Sequence, residues 1–118
     1  MNVWNQDTCF GTNNDTVACQ GLNSGVFASF KNQGDVQAVF VGHNHGNDYC
    51  GLYQNITLCY GRHTGYGGYG NWERGARIIE IQQEPWEINT WIRFEDGRLE
   101  PSGVVHKPSP PYQYGCNY

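Results

Sequence analysis

The feature that most constrains the fold is a nearly continuous apolar run at residues 36–41, which ends in a Gly-His-Asn-His-Gly segment at residues 42–46. Such a run is typical of a strand that is covered on both faces, as in α/β sheets. On a regular strand His43 and His45 would lie on one face, but in a loop beyond it they can spread around two metal ions. Because neutral imidazole is a common metal ligand and strand ends hold the ligand sites of α/β sheets, the segment predicts a metal site.

Apolar spacing and glycine positions predict one helix and four strands around this site. Asn23 or Ser24 can cap a short helix that Gly34 ends, since glycine adopts the left-handed conformation common at that position. Residues 51–55 are predicted to be a turn, and the glycine-rich residues 61–71 are too flexible for a regular element. The predicted strands comprise residues 36–41, 56–60, 77–82 and 87–95.

The chain divides into three predicted parts. Residues 1–21 are polar and rich in turn-forming side chains, which indicates an irregular segment. Residues 22–99 contain all the predicted helix and strands. Residues 100–118 are predicted to be an extended tail, because proline cannot join a central strand.

Length, charge and hydropathy restrict the classes of function. The 118 residues suffice for at most one domain. A net charge of −4 without a basic stripe excludes nucleic acid as an expected partner. No apolar run approaches the ~20 residues needed to span a bilayer, so we expect no membrane span.

Several motifs beyond the histidine pair occur in order along the chain, and together they resemble the calcineurin-like metallophosphoesterases. Within that family they are most similar to the branch related to plant purple acid phosphatases 28 and 29 and to fungal phosphatases. The resemblance covers residues 20–95. The motifs that carry it lie at residues 25–30, 33–36, 39–45, 47–51, 58–62, 64–70 and 72–80.

The resemblance implies an α/β fold, namely the C-terminal portion of a four-layer sandwich with mixed β-sheets. It also implies a metal-dependent phosphoric ester hydrolase, a phosphatase or phosphodiesterase that acts on a phosphate ester with two divalent or mixed-valence ions of Fe, Zn or Mn. His43 would bind the second metal and His45 the first. Asn44 stands where this branch commonly has aspartate. Asn44 and Asp48 would lie beside the imidazoles without binding metal, and Asp48 would accept a hydrogen bond from the far nitrogen of one of them.

Only one of the family's ligand blocks is present. Ahead of this block the family also uses, in order, an early Asp-x-His, a Gly-Asp pair, a Gly-Asn-His segment and a further histidine, and residues 1–41 do not contain that series. We therefore expect the C-terminal third of a longer phosphoesterase that binds metal weakly and is inactive alone. Its expected partners are the missing N-terminal part of the same domain or a second copy. The alternatives are a non-catalytic remnant or binding module, and a small secreted domain stapled by disulfides.

Arg62 and His63 follow the second predicted strand, close to where a phosphate could arrive. Arginine suits a bidentate grip on phosphate oxygens, but an ion pair or a hydrogen bond that braces the loop is an equal alternative. Tyr66 and Tyr69 in the glycine-rich segment could line a pocket, although packing is the simpler role for them.

Cysteines and sequons favour a secretory or vacuolar route. The spacings predict two disulfides as geometric alternatives to buried free thiols. Asn14 and Asn55 each begin an N-glycosylation sequon. The candidate disulfides join Cys9 to Cys19 and Cys50 to Cys59.

Overall fold

A computed structural model describes residues 9–18 and 21–100 and the backbone of residues 103–106. These residues form two three-stranded sheets and one helix, which confirms the α/β class. In the first sheet the strand order is β1-β3-β2, with β1 parallel to β3 and β2 antiparallel to it. The second sheet is antiparallel in the order β4-β5-β6. The elements are α1 (Val26–Gln33), β1 (Ala38–Val41), β2 (Cys50–Tyr53), β3 (Ile56–Tyr60), β4 (Gly75–Gln83), β5 (Trp86–Phe94) and β6 (Gly103–His106).

The helix α1 ends as predicted but begins later. Gly34 is left-handed, and its N–H donates to the Phe30 carbonyl oxygen at 3.3 Å. The N-cap is Gly25, whose N–H donates to Asn23 Oδ1 at 3.0 Å. This local bond places Asn23 in the preceding turn, so the predicted capping by Asn23 or Ser24 is wrong. Phe27 packs against the Tyr53 ring at 5.0 Å between centroids and holds the helix on the first sheet.

Strand β2 occupies residues that were predicted to be a turn. Only Gln54 and Asn55 form the turn, both with positive φ (47° and 67°), and this is the backbone of a tight two-residue hairpin. The prediction failed because the turn lacks glycine, whereas Gly51 lies inside the strand and is buried there.

Strand β5 of the second sheet turns its alternating, mostly apolar side chains toward the core. Ile88, Thr90, Ile92 and Phe94 alternate along β5 and are all buried. Strand β6 pairs with β5 inside the segment that was predicted to be an extended tail. Residues 103–106 contain no proline, which leaves every backbone N–H in that stretch able to join a sheet.

A disulfide lies at the centre of the core. Cys50 and Cys59 face each other directly across β2 and β3 and are bonded, which confirms this pairing over free thiols. Ile88 from the second sheet packs on the pair, and Phe10, Ala38 and Phe40 surround it. Cys9 is also disulfide-bonded, while its predicted partner Cys19 lies outside the described residues.

Arg77 joins the two sheets through its side chain. From β4 its Nε donates to the Tyr60 carbonyl oxygen at 2.7 Å and its Nη1 to Thr90 Oγ1 at 3.0 Å. Its Nη2 donates to the carbonyl oxygen of Asp48. Burial lowers the pKa of Arg77 to about 10, so the guanidinium stays cationic at neutral pH. Arg77 therefore has a structural role.

Several apolar side chains remain outside the core. Strand β1 was predicted to be covered on both faces, yet Val41 is 48% exposed and the rest of the strand is only half-buried. Ile79 and Ile81 on β4 are also exposed. The described residues form no helix with the length and apolar character to cross a membrane.

We expect replacement of both Cys50 and Cys59 by alanine to lower the free energy of unfolding by about 2–4 kcal/mol, because the bond restricts the unfolded chain. Urea unfolding followed by circular dichroism measures the change. A reducing agent serves as the control, since it should destabilise the native chain more than the variant. Equal destabilisation of both proteins would assign the stabilisation to the disulfide of Cys9 instead.

Substitution of Arg77 by methionine should lower the free energy of unfolding by about 3 kcal/mol or more. The change removes charge-assisted donors and leaves the carbonyl oxygens of Tyr60 and the buried Asp48 without that partner. The matched control is Arg93→Met, because Arg93 lies exposed on β5 and surface substitutions usually change stability by less than about 0.5 kcal/mol. Comparable losses in the two variants would show that Arg77 does not join the sheets.

Candidate metal and phosphate site

The histidine loop begins where β1 ends, so neither imidazole belongs to the strand. His43 has a left-handed backbone with φ of 79° and an exposed side chain, while His45 is half-buried. Both histidines line one cleft of about 330 Å³, together with Arg62 and His63. The structure therefore brings together the predicted histidine pair and the two candidate phosphate contacts.

Asn44 also lines this cleft, and its amide is hydrogen-bonded within the protein. Its Nδ2 donates to the Thr16 carbonyl oxygen at 2.9 Å, and its Oδ1 accepts a hydrogen bond from the Tyr60 hydroxyl at 2.9 Å. Asn44 is buried. It thus fixes the backbone between the two histidines, and its amide contacts neither imidazole in the described hydrogen bonds.

The irregular segment before the helix forms hydrogen bonds to the end of the histidine loop, at residues 46–47. The Asn14 N–H donates to the Gly46 carbonyl oxygen at 3.2 Å. The Asp15 N–H donates to Asn47 Oδ1, and Asn47 Nδ2 returns a bond to the Asp15 carbonyl oxygen, both at 2.9 Å. The loop therefore has its conformation set by residues that are distant in sequence.

The Asp48 carboxylate contacts two groups other than an imidazole. Its Oδ1 accepts the Thr12 N–H at 2.6 Å, and its Oδ2 accepts Arg62 Nη1 at 2.5 Å. The side chain is fully buried. A guanidinium offers this buried carboxylate a charge-assisted bond. Asp48 was predicted to accept a hydrogen bond from an imidazole, and in the structure it forms an ion pair with Arg62 instead.

Arg62 adopts the bracing role that the sequence had left as an alternative to phosphate binding. Besides the ion pair, its Nε donates to the Glu73 carbonyl oxygen at 2.9 Å, and its guanidinium lies 4.8 Å from the Phe94 ring centroid. Only 7% of the side chain is exposed. These contacts hold the segment after β3 onto β5, the strand that carries Phe94.

His63 lies at the back of the cleft, against His45. The two rings meet edge to face at 4.7 Å between centroids, and Trp72 lies beyond His63 at 6.0 Å. His63 is 6% exposed, and within the described part of the chain its Nδ1 has no hydrogen-bond partner. Burial first, and then the charges of Arg74 and His45, lower the pKa of His63. The neutral form of His63 is thereby favoured.

Tyr69 is the site residue that sequence reasoning undervalued. Its ring stacks on His45 at 4.3 Å, and its hydroxyl oxygen accepts the His45 backbone N–H at 3.0 Å. The same hydroxyl donates to Asp15, and this bond lowers the pKa of the Asp15 carboxyl. The tyrosines within the glycine-rich segment were the one available signal, while nothing in the sequence singled out Asp15.

The described side chains provide part of a metal donor set. His43 and His45 supply two imidazoles to one cleft, which suits ions that prefer nitrogen. Across residues 9–18 and 21–100, however, no group of three or more histidine, cysteine, aspartate or glutamate side chains could hold a metal ion. The loop therefore fits a contribution to a metal centre and does not form a complete one.

Comparisons with known proteins identify relatives in Arabidopsis thaliana. Probable inactive purple acid phosphatase 28 is 43% identical over 93 residues, which are 70% of this chain and 23% of the relative. Probable inactive purple acid phosphatase 29 is 38% identical over 100 residues, or 75% and 26% of the two chains. Probable inactive purple acid phosphatase 14 is 37% identical over 97 residues, or 73% and 24%.

No family model and no solved structure matches the chain. The chain spans about a quarter of the length of the curated relatives it matches. Two of those relatives are numbers 28 and 29, the branch that the ordered motifs predicted. Over most of its own length, this chain is a relative of the purple acid phosphatase-like proteins.

Proposed function

We propose that His43 and His45 are metal ligands of a metal-dependent phosphoester hydrolase. The observation that carries this proposal is their placement, because both imidazoles line one cleft at a strand end while the amide of the intervening Asn44 is hydrogen-bonded within the protein. Two bound ions of Fe, Zn or Mn would activate a water and offset charge on the phosphoryl oxygens of a phosphate ester. His63 lines the same cleft and is our candidate for contact with the substrate.

The strain at His43 supports a functional role for this residue. A non-glycine residue with φ of 79° costs free energy that the fold must offset, and such residues cluster at functional sites. The His43 side chain is exposed, so packing gives no reason for a large side chain at this position. Metal binding supplies such a reason.

The remaining ligands must come from outside the described residues. Most of the length of the relatives lies beyond the segment that this chain matches. We propose that such a part, or a second copy of this chain, covers the exposed Val41, Ile79 and Ile81. In the first case the two sheets would belong to a four-layer sandwich of the calcineurin-like type.

A second candidate function is a binding module without catalytic activity. The three Arabidopsis relatives are each named as probable inactive enzymes. The engagement of Arg62 with Asp48 also removes from the site the residue best suited to grip a phosphate. In this case the cleft would hold an ion without turnover.

We also propose that the chain folds along a secretory or vacuolar route. The Cys50–Cys59 bond requires an oxidising compartment to persist. Asn14 and Asn55 are both exposed, so there is room at each asparagine for an attached glycan.

Metal binding tests the role of the histidine pair. We expect the purified chain to bind Zn²⁺ weakly in isothermal titration calorimetry, because two imidazoles are fewer than the three or so ligands of catalytic zinc sites. His43→Ala and His45→Ala should each weaken binding at least about tenfold, the effect of losing about 1.4 kcal/mol. His106→Ala provides a control that removes a histidine outside the loop. Unchanged affinity in both loop variants would refute the assignment.

Hydrolysis of a phosphate monoester separates the two candidate functions when the chain and its loop variants are combined with the part that supplies the remaining ligands, because the chain alone is expected to be inactive. Turnover that requires added metal and disappears in both loop variants supports the hydrolase. Metal binding that depends on the histidines, with no turnover, supports the binding module.

Strain at His43 can be measured by comparing glycine and alanine at this position. His43→Gly should be more stable than His43→Ala by about 0.5–1 kcal/mol, because only glycine adopts a left-handed backbone without steric cost. The control is Ala28, inside α1, where glycine should be less stable than alanine by about 1 kcal/mol. Urea unfolding gives both differences. The same order at both positions would show that His43 is not strained.

A further inference from the structure

We propose that Tyr69 is the positioning residue that fixes both the tautomer and the orientation of His45. The metal role of His45 rests on the proposed function, but its geometry in the metal-free chain does not. Three separate parts of Tyr69 contact this one histidine: the carbonyl oxygen, the ring and the hydroxyl group. Such convergence on a half-buried loop side chain requires an explanation that packing alone does not give.

The carbonyl oxygen of Tyr69 determines where the imidazole carries its proton. It lies 3.3 Å from His45 Nδ1. A carbonyl oxygen only accepts hydrogen bonds, so the contact requires Nδ1 to carry the hydrogen. A neutral imidazole has one N–H, and Nε2 is then left with a free lone pair.

The ring and hydroxyl of Tyr69 set the direction of that lone pair. The two rings are stacked at 4.3 Å with an angle of 20° between their planes. The hydroxyl oxygen meanwhile holds the His45 backbone N–H at 3.0 Å, so the ring and backbone of His45 are fixed by the same residue. A Cβ at Gly68 would lie 2.9 Å from His45 Cε1, which explains why the neighbour of Tyr69 lacks a side chain.

Tyr69 is itself held in place from the opposite side of the loop. Its hydroxyl donates to the Asp15 carboxylate, and Asp15 Oδ2 also accepts the Gly46 N–H at 3.4 Å. Asp15 is tied to Asn47 by two further hydrogen bonds. The position of Tyr69 is therefore set by the same segment that fastens the histidine loop.

The bare Nε2 selects the chemistry that His45 can perform. A nitrogen lone pair binds a metal cation and cannot donate a hydrogen bond to a phosphate oxygen. Within the cleft, His45 is therefore assigned to a cation, and contact with the phosphate falls to other groups. Support of a ligating histidine by a backbone carbonyl also raises the basicity of the ligating nitrogen.

Long-range ¹H–¹⁵N NMR correlations of the metal-free chain, recorded at pH 8, report the tautomer directly. We expect His45 to carry its proton on Nδ1, the form that free histidine disfavours in water. Tyr69→Ala keeps the backbone carbonyl oxygen but removes the ring and the hydroxyl that hold His45 against it, so the population with the proton on Nδ1 should fall. Tyr66→Ala is the matched control, since Tyr66 lies in the same loop and is 80% exposed. An Nε2–H tautomer in the unmutated chain would overturn the proposal. An Nδ1–H population in Tyr69→Ala as large as in the unmutated chain would refute the part that the ring and hydroxyl of Tyr69 play in positioning His45.

Tyr69→Phe provides an independent measurement if the alanine variant fails to fold. This variant retains the stacked ring and the carbonyl oxygen and loses only the hydroxyl group. Hydrogen exchange at the His45 amide should then become about tenfold faster, because one hydrogen bond is lost, whereas Tyr66→Phe should leave it unchanged. Equal exchange rates in the two variants would refute the role of the hydroxyl.

The two proposals fail separately. A chain with the Nδ1–H tautomer that binds no Zn²⁺ would refute the metal role of His45 and leave its positioning by Tyr69 intact. A chain in which metal-free His45 carries its proton on Nε2, but which still binds Zn²⁺ through the histidine pair, would refute the positioning by Tyr69 and leave the metal role intact.

Discussion

The hydrogen bonds of the half-buried Arg77 guanidinium are the interaction on which the rest of the architecture depends. Its three donors reach the end of β3 at Tyr60, the histidine loop at Asp48 and the second sheet at Thr90. A side chain with fewer donors in a less rigid arrangement could not join all three at once. The free energy lost on burying this charge is offset only because its hydrogen bonds are made together. The site and the core are therefore parts of one polar network.

The candidate site is built from segments with little regular structure, yet its conformation is fixed by many contacts. The histidine loop lies between the segment that carries Asp15 and the glycine-rich segment that carries Tyr69. Parallel pairing of β1 with β3 places the loops that follow them at the same end of the sheet. His45 and His63 meet for this reason, although neither is close to the other in sequence.

Much of the fold and the centre of the site followed from sequence pattern. The strand before His43, the strand at 56–60 and the buried face of β5 were predictable because apolar periodicity is local. Strand β2 was missed because its buried glycine has the appearance of a turn. Asp48 was predicted to contact an imidazole and pairs with Arg62 instead, and no contact was predicted for Asp15, which bonds Tyr69. The reason is that the donor to a carboxylate often comes from a segment that is distant in sequence. Charged and polar contacts of this kind leave no periodic trace in the sequence.

The Cys50–Cys59 bond has a consequence for alignment as well as stability. Side chains alternate along a strand, so a slip of one residue between β2 and β3 would turn every side chain of one strand to the opposite face. A covalent link between directly opposed residues permits a single register. That register fixes where β3 stops, and hence the point at which Arg62 and His63 leave the sheet. The oxidation state of two sulfur atoms in the core thereby sets the alignment of a cleft on the surface.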